Sequence, residues 1–573
     1  MNRVAPWAVV WALLIAAWVV VGPWGDFPLN DDWTFAHFAK HLAEKGFIKL
    51  DAPSSPNVVG QAIIGAGLTK VFGFSYLVLR LFTMALTLAG LWAVDSMLKA
   101  CVDSKAVRVM ALSTLAFNPI VFYMSTTFMT ELYGWLPVVL TASVWFWDRR
   151  RRTESDQSLV SFWVAVAVGL LCGASFWTRQ LCVLMYPALL GATLLRALAN
   201  RQFRAVLRTL PALAVGTAVF GAVIAAYVPW AKSTGNFRPE FAERLGHLTQ
   251  VNAQAYRLQV GAVVIYMTAY FAPWLALASW RKARLWALGL GVAALMGLVW
   301  TTRAQFQAYA QHDFFIGPIW AHKVFPYLVN IVWNAGVGPF TFDDTFFYDV
   351  PKPSWSKDTW ARIEVALLLG AAAWSPVGAA FFRLVRAQRA QTRLEVPLAG
   401  ALLALGSTFA IIQVHQLEMV DRYHLPVILG LALAVPPAIA LGRAESWRPW
   451  RLGLFAVVFL PVALFSILGV HDQFRWNEAR WELFDTARAQ GGTYVTVQGG
   501  YEMNCWWQYD GRLTSEARTC GDACRCVYQN FCCTDDEWRL GLSVLPGYSE
   551  VASKQPRYWL APGPPVVLSR RPR

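Results

Sequence analysis

Two adjacent carboxylates, Asp31 and Asp32, follow the first strongly apolar segment of the chain, in the stretch FPLNDDWTFAHFAKHLAEKG at positions 27–46. A positioned carboxylate can take a proton from a hydroxyl group as a general base, and carboxylates are also ligands that divalent cations prefer. An acidic pair beside an apolar segment therefore indicates either a reaction centre or the start of a helix.

The helix-start interpretation rests on the residues that follow the pair. Phe35, Phe38 and Leu42 recur at helical spacing, so this stretch predicts an amphipathic helix that lies flat on a membrane surface. In this interpretation Asn30 or Asp31 caps the helix, and both acids are stabilised by its positive end. One residue can cap a helix and also act on a substrate, so both interpretations stay open.

Three more charged side chains could take part in the same chemistry. Glu131 lies in FMTELYGW, Arg179 in FWTRQ and Arg422 in VDRYHLP, each at the end of a long apolar run. Guanidinium groups bind phosphate oxygens through two parallel hydrogen bonds, so both arginines are candidate phosphate ligands. Plain alternatives remain: Glu131 as an acid at a helix start, and the arginines as snorkelling side chains, with Asp421 as a partner for Arg422.

The composition identifies the elements that must position these residues. Of the 573 residues, 56% are hydrophobic, 29 are Trp and only 15% are charged, which is typical of a polytopic membrane protein. The formal net charge of +15 lies in short loops between apolar runs rather than on one amphipathic face, so nucleic acid is not a predicted partner. The segment 6–22 is predicted to be a retained first span rather than a signal peptide, because it is rich in Trp and no small-residue cleavage site precedes Asp26.

About thirteen stretches are long and apolar enough to cross the ~30 Å of hydrocarbon in a bilayer. They lie at 6–24, 75–99, 106–124, 130–147, 159–177, 181–198, 209–228, 260–279, 284–301, 361–381, 396–413, 423–441 and 452–470. A fourteenth apolar stretch, 323–340, is predicted to be re-entrant or interfacial, because a further span would place the very basic 383–393 outside.

The charge of the loops predicts the orientation of the spans. Five strongly basic loops fall on one side, which is therefore predicted to be cytoplasmic; they lie at 148–152, 196–204, 280–284, 382–393 and 442–451. The acids described above, together with Arg179 and Arg422, fall on the opposite side. Arginine at that side runs against the charge rule, so these two residues need another reason. Phosphate binding is therefore assigned to Arg422 first, with Tyr423 and His424 nearby, and to Arg179 second.

Residues 471–573 are predicted to form a small external α/β domain, because the composition becomes polar and Gly-rich and short β-prone pieces such as TYVTVQ and PPVVLS occur. Six of the nine cysteines lie in this tail: Cys505, Cys520, Cys524, Cys526, Cys532 and Cys533. An even number on the external side predicts disulfides. A metal knuckle is the competing interpretation, and it is disfavoured because an oxidising compartment removes free thiolates.

The membrane part, residues 1–470 with a first external loop at 25–74, resembles the GT-C glycosyltransferases that use polyprenyl-phosphate sugars. The resemblance rests on the DDWTF pair after the first span, the return through GFSYLVLRLF, NPIVFYMSTTFMTELYGW, GLLCGASFWTRQ and DRYHLPVILGL. The protein O-mannosyltransferases and the lipid A aminoarabinose transferase belong to this group. The tail stretch VHDQFRWNEARWELFDTARAQGGTYVTVQGGYEMN is similar to family 39-like bacterial members, whereas the cysteine cluster departs from that pattern.

The resemblance implies an integral membrane hexosyl- or pentosyltransferase of the bacterial inner membrane, with its active site and tail on the periplasmic side. Its donor would be a polyprenyl-phosphate sugar within the lipid bilayer, and its acceptor a hydroxyl group of a glycan, lipid or protein. Asp31 would be the general base of a transfer with inversion, Asp32 would orient the acceptor or bind a divalent metal, and Glu131 would add a carboxylate to the metal or the acceptor. The nearby His37, His41, His415 and His424 are not assigned as metal ligands.

Two other function classes remain possible on this sequence. A polytopic transporter or lipid flippase would show charged or broken helices at mid-span, often in two similar halves. The predicted spans carry few charges in their middles, and the acids collect in turns instead. A non-catalytic scaffold would leave Asp31, Glu131, Arg179 and Arg422 without a shared purpose, so the sequence favours an enzyme.

Overall fold

The computed structural model describes the chain in separate stretches, which set the extent of every structural statement below. They are residues 4–50, 56–152, 158–237, 252–278, 370–387, 392–415, 420–441, 449–508, 537–544, 546–560 and 562–572, with 244, 246–247, 250, 289, 292–293, 296–297, 330–332 and 534. The predicted span at 284–301 and the predicted re-entrant stretch at 323–340 lie outside the described residues, apart from isolated positions.

The described part is mainly α-helical. The helices are α1 Pro6–Val21, α2 Asp32–Lys45, α3 Val59–Phe72, α4 Tyr76–Leu98, α5 Lys105–Ala116, α6 Pro119–Met124, α7 Thr130–Arg151, α8 Phe162–Ser175, α9 Met185–Ala199, α10 Phe203–Ala225, α11 Tyr227–Ser233, α12 Ala253–Leu277, α13 Trp374–Ala387, α14 Glu395–His415, α15 Leu425–Leu441, α16 Pro449–Ala489 and α17 Tyr501–Gln508. Short 3-10 turns lie at Gln180–Leu184, Ala371–Ala373, Thr392–Leu394 and Asp421–His424.

Seven helical segments of the described residues are long and apolar enough to cross a membrane: Tyr76–Leu98, Gln180–Ala199, Phe203–Ser233, Ala253–Leu277, Glu395–His415, Asp421–Ala440 and Pro449–Ala489. Shorter apolar helices are Pro6–Val21, Val59–Phe72 and Phe162–Ser175. These helices confirm the prediction of a multi-pass membrane protein, since an apolar helix satisfies its backbone hydrogen bonds within itself and can therefore cross lipid. The count of thirteen spans stays a prediction.

Local chemistry divides two regions differently from the hydropathy pattern. The predicted span 106–124 is two helices, α5 and α6, because Asn118 accepts hydrogen bonds from Ile120 N at 3.0 Å and Val121 N at 3.4 Å, and Pro119 lacks the N–H that would continue α5. The predicted external loop 25–74 contains not only α2 but also the apolar α3.

Buried charges join helix ends on the side where the basic loops lie. Glu395 at the start of α14 accepts hydrogen bonds from Arg149 Nε at 3.0 Å and from Arg196 Nη1 at 2.5 Å, and all three side chains are buried. Arg108 and Asp95 form a second buried pair at 3.1 Å. Part of the basic charge therefore connects α7, α9 and α14 instead of facing solvent.

The tail begins inside a helix, since α16 runs for 41 residues through the predicted boundary at 470/471. A four-stranded sheet follows in the order β1-β2-β4-β3, with β1 Val497–Gln498, β2 Trp538–Gly541, β3 Ser549–Lys554 and β4 Val566–Arg570. β1 and β2 pair in parallel and the other neighbours are antiparallel. Asp472 of α16 accepts hydrogen bonds from Trp559 N at 2.8 Å and Leu560 N at 2.9 Å, which ties the end of the chain to α16.

Of the six tail cysteines, Cys505 alone belongs to the described residues. It is buried and is not one of the free thiols, which are Cys101, Cys172 and Cys182 in the described part of the chain. The pairing of the tail cysteines thus stays a prediction.

Candidate active site

Four of the charged residues singled out in the sequence lie in direct contact. Arg422 Nη2 donates a hydrogen bond to Asp31 Oδ2 at 2.6 Å, and its Nε lies 3.4 Å from Glu131 Oε1. The same Glu131 oxygen lies 2.9 Å from Arg179 Nη2. The result is a chain of alternating charge, Asp31–Arg422–Glu131–Arg179, which we call the charged quartet.

The quartet assembles at helix starts. Asp31 directly precedes α2, Glu131 lies in the first turn of α7, Arg179 precedes the 180–184 turn and Arg422 lies in the 421–424 turn before α15. Gly134 allows Arg179 to reach Glu131, because a Cβ at position 134 would lie 2.7 Å from the Cβ of Arg179.

The charges of the quartet balance, with two carboxylates against two guanidinium groups. Glu131 is 2% exposed and Arg179 7%, whereas Asp31 is the most open member, with 23% of its side chain exposed. Buried charges are tolerated only when they are paired, so this arrangement holds two arginines at the edge of an apolar interior. Asp31 is therefore the quartet side chain most accessible from outside the protein.

The side chain of Asp31 does not cap α2. Asp31 occupies the cap position with φ −78° and makes no side-chain hydrogen bond to the helix. Asn30 does not cap it either: its backbone is left-handed, with φ 54°, and its amide nitrogen donates to Asn330 Oδ1 at 3.0 Å. The structure therefore removes the capping explanation for both residues and leaves Arg422 as the partner of Asp31.

Asp32 points away from the quartet, into the protein. Its two carboxylate oxygens accept backbone hydrogen bonds from Leu29 N at 2.6 Å and Phe128 N at 3.4 Å, and the residue is 1% exposed. Burial raises the pKa of Asp32 to about 8, and Arg80 and the two backbone hydrogen bonds offset only part of this effect. Asp32 thus organises the α2 start, and its predicted contact with an acceptor or a metal stays a prediction.

The raised pKa of Asp32 predicts a pH dependence of stability. In the unfolded chain this carboxyl loses its proton near pH 3.8, and in the folded chain near pH 8, so the folded state binds more protons between these values. Stability from this group is therefore complete below about pH 4 and falls as the pH rises towards 8. We expect the melting temperature of the wild type, minus that of Asp32→Asn, to decrease between pH 5 and pH 8 in thermal scans. A difference that increased with pH would show that Asp32 is buried as a carboxylate.

Arg80 is a site residue that the sequence analysis missed. Its guanidinium group donates to the carbonyl oxygens of Pro23 at 3.0 Å, Phe27 at 3.1 Å and Thr126 at 2.7 Å, and it is 1% exposed. These bonds hold the segment that leads into α2. The sequence could have identified Arg80, because it lies near the predicted external end of its span, as Arg179 and Arg422 do.

The neighbours of Arg422 have distinct contacts. The Asp421 carboxylate accepts hydrogen bonds from Ile331 N at 2.9 Å and Val332 N at 2.7 Å and from the backbone N–H of Arg422, whereas the Arg422 guanidinium group pairs with Asp31 and Glu131. Asn30 directly precedes Asp31, and Asp421 directly precedes Arg422. Both Asn30 and Asp421 thus contact the same short turn at 330–332. The described part of this predicted re-entrant stretch therefore lies beside the quartet.

Tyr423 and His424 have different surroundings. The ring of Tyr423 lies 4.9 Å from the Arg179 guanidinium carbon and 4.2 Å from the His415 ring. His424 is 1% exposed, and neither ring nitrogen has a hydrogen-bond partner among the described residues. Of this pair, Tyr423 is the one in contact with an arginine of the quartet.

An apolar cavity of about 470 Å³ opens next to the quartet. Its walls come from the 180–184 turn, α10, α11 and α14, and its polar lining includes Arg179, Arg244, His415 and Tyr423. Arg244 Nη1 lies 3.1 Å from His415 Nδ1. Arg422 and His424 are not among the lining residues, so the cavity meets the quartet at Arg179.

Asp32 and Glu131, the carboxylates that the resemblance implies for a metal, are each engaged by other groups of the protein. Glu131 is engaged by two arginines and Asp32 by backbone N–H groups. In the part of the chain that the structure describes, no group of three or more His, Cys, Asp or Glu side chains could hold a metal ion.

Comparison with known proteins gives a distant likeness of shape. No protein-family model and no curated protein matches the chain. A crystal structure of ArnT from Cupriavidus metallidurans bound to undecaprenyl phosphate is 13% identical, with a TM-score of 0.40 over 98% of each chain. The apo structure of the same protein is 12% identical, with a TM-score of 0.34 over 86% of this chain and 81% of that one. Both scores are too low to assign the chain to the family of ArnT.

Proposed function

We propose that this chain is a membrane glycosyltransferase that moves a sugar from a polyprenyl-phosphate donor to an acceptor hydroxyl group. The observation that carries the proposal is the contact between the charged quartet and the apolar cavity. A partly exposed carboxylate, two arginines and an apolar cavity that meets the quartet at Arg179 match the parts of this reaction: a base, a phosphate site and a lipid site. The resemblance of the sequence motifs to polyprenyl-phosphate transferases supports the same conclusion.

The cavity suits an amphiphile that ends in a phosphate. Its lining is predominantly apolar, as expected for a hydrocarbon chain, and its volume is in the range of small-molecule sites. Arg179 and Arg244 supply positive charge to this apolar lining. Arginine recognises phosphate oxygens through paired hydrogen bonds, so these residues would hold the leaving phosphate.

Arg244 takes the first place among the phosphate ligands in this proposal. Arg422, which the sequence favoured, does not line the cavity and is engaged by Asp31 at 2.6 Å and Glu131 at 3.4 Å. Arg244 contacts His415 and faces the cavity. Arg422 instead orients Asp31, while Arg179 connects the phosphate end of the cavity to the quartet.

The transfer would proceed in one displacement. Asp31 would take the proton of the acceptor hydroxyl while its oxygen attacks the anomeric carbon, and the bond between that carbon and the phosphate oxygen would break. Polyprenyl phosphate would leave with the electron pair, and the arginines would stabilise its charge. A single attack from the opposite face inverts the anomeric centre.

The experiment that tests the proposal follows the lipid product. Purified protein in nanodiscs would be incubated with radiolabelled polyprenyl-phosphate hexoses and pentoses, together with membranes from a strain that lacks the protein. We expect release of polyprenyl phosphate and transfer of label to the membranes with at least one donor. Binding of the lipid phosphate without any release or transfer would favour a flippase instead.

Arg244→Gln should weaken binding of the lipid phosphate. Charged hydrogen bonds contribute about 1.5–3 kcal/mol, so the loss of this arginine should raise the Kd for polyprenyl phosphate about tenfold or more. Retention of tritiated polyprenyl phosphate by the protein in nanodiscs measures this. The matched control is Lys232→Gln, which removes one positive charge from an exposed residue of α11 that does not line the cavity. Equal binding by both variants would place the phosphate elsewhere.

A further inference from the structure

A tryptophan of the tail, Trp506, packs onto α2. The ring of Trp506, on α17, stacks on Phe74 with centroids 5.1 Å apart and an interplanar angle of 15°. It also lies 5.1 Å from the ring of Tyr76 and 4.9 Å from that of His37, and Lys40 Nζ lies 5.5 Å from its centroid. The tail thus packs against the face of α2 that carries His37 and Lys40.

The partners of Trp506 belong to the elements that carry the candidate site. His37 and Lys40 lie on α2, which begins one residue after Asp31, and Tyr76 is the first residue of α4, which also carries Arg80. His37 is six residues beyond Asp31, or about 9 Å along a helix. Trp506 therefore holds α2 close to the end at which Asp31 meets Arg422.

The helix α17 is itself anchored in the tail. Glu502 and Arg480 form a buried ion pair between α17 and α16, and Arg480 also donates to Asn477 Oδ1 at 2.7 Å. Met503 and Cys505 are buried beside them. A continuous series of packed contacts thus leads from the helix α16 through α17 and Trp506 to α2.

We propose that Trp506 is a positioning residue: the tail uses it to hold α2 so that Asp31 stays aligned with Arg422. This inference rests on the proposed function for its catalytic consequence. A displacement of about 1 Å at a reacting group can lower the rate about 10²-fold, so a helix that carries the base needs a fixed position. In this role the tail would hold α2, within the predicted first external loop at 25–74, in a fixed position.

The adjacent Trp507 provides a matched control. Its ring faces the tail itself, stacking on Tyr494 at 4.3 Å and lying 6.4 Å from the ring of Phe484. Trp506→Ala and Trp507→Ala remove the same side chain from the same helix, but only the first removes a contact with α2. Trp506→Phe keeps an aromatic ring that can stack on Phe74.

Hydrogen–deuterium exchange in the full-length protein tests the inference without an activity assay. We expect Trp506→Ala to speed exchange of the amides of α2 at least tenfold, while Trp506→Phe and Trp507→Ala leave α2 within about twofold of the wild type. Unchanged exchange in Trp506→Ala, or an equal increase in Trp507→Ala, would overturn the inference. These outcomes do not depend on whether the chain transfers a sugar.

A double-mutant cycle with the transfer assay tests the catalytic consequence. We expect Trp506→Ala to lower kcat about ten- to a hundredfold with little change in the KM for the donor, because the lipid cavity is built from other elements. If the tryptophan acts through the carboxylate, its loss should cost nothing further in an Asp31→Asn background. Fully additive losses in kcat would show that Trp506 does not act through Asp31.

Discussion

Asp31→Asn should give a well-folded protein that releases almost no polyprenyl phosphate. Loss of a positioned general base lowers the rate about 10²–10⁴-fold. The loss of stability should be small, because Asp31 makes no capping hydrogen bond and its ion pair with Arg422 is partly exposed. Turnover with a polyprenyl-phosphate sugar and the melting temperature, measured on the same sample, separate the two effects.

The control for this variant is Asp26→Asn, in the same segment before α2. Asp26 is exposed and accepts hydrogen bonds from Ser75 Oγ at 3.1 Å and Leu77 N at 3.0 Å, so it supports the start of α4, at which Ser75 is the N-cap. Its replacement should cost about 1 kcal/mol at most and leave turnover near that of the wild type. An Asp31→Asn protein that kept most of its turnover would mean that the base is another group.

Glu131→Gln should destabilise the protein strongly. Glu131 lies 2.9 Å from Arg179 and 3.4 Å from Arg422, and it is 2% exposed. Removing one partner of a buried ion pair typically costs about 3–5 kcal/mol, because the remaining charge stays buried without compensation. Arg422 keeps Asp31 as a partner, so most of the cost should come from Arg179. Denaturant unfolding measured in detergent gives this free energy.

Two further variants make the Glu131 result specific. Glu44→Gln makes the same chemical change in an exposed pair with Lys40, at 4.0 Å, and should change stability by less than about 0.5 kcal/mol. Adding Arg179→Met to Glu131→Gln removes the uncompensated charge and should restore part of the lost stability. If Glu131→Gln were as mild as Glu44→Gln, water would have to reach the arginines, and the quartet would not be a closed ion-pair chain.

Turnover offers a separate readout on Glu131. In Glu131→Gln the carboxylate of Glu131 no longer holds Arg422, so the hydrogen bond from Arg422 to Asp31 can change. We therefore expect kcat to fall in Glu131→Gln even at temperatures where the variant is fully folded.

The sequence by itself determined the class of the protein and the places where charge could act. Long apolar runs must form helices in lipid, because no water is present to satisfy the backbone. Charged residues then concentrate at helix ends, which is why Asp31, Glu131, Arg179 and Arg422 stood out as candidates. The tail was predicted from local composition as well: after position 470 the chain becomes polar and Gly-rich and contains short β-prone pieces, which are typical of a small α/β unit.

Only the tertiary structure decided which of these groups are partners. Asp31 and Arg422 are 391 residues apart in the chain, and no local pattern states that they meet. Nor does periodicity tell that Asp32 turns inward while its neighbour stays open, since that depends on the backbone N–H groups of Leu29 and Phe128.

The same limit applies to Arg244 and Trp506. Arg244 is recognised only because it lines the cavity, and Trp506 only because it contacts α2. Hydropathy and helix spacing report how each segment faces its surroundings, whereas a buried charge or ring takes its role from side chains that distant segments bring to it. That choice is made by the packing of the helices against one another, where each buried charge must find a partner.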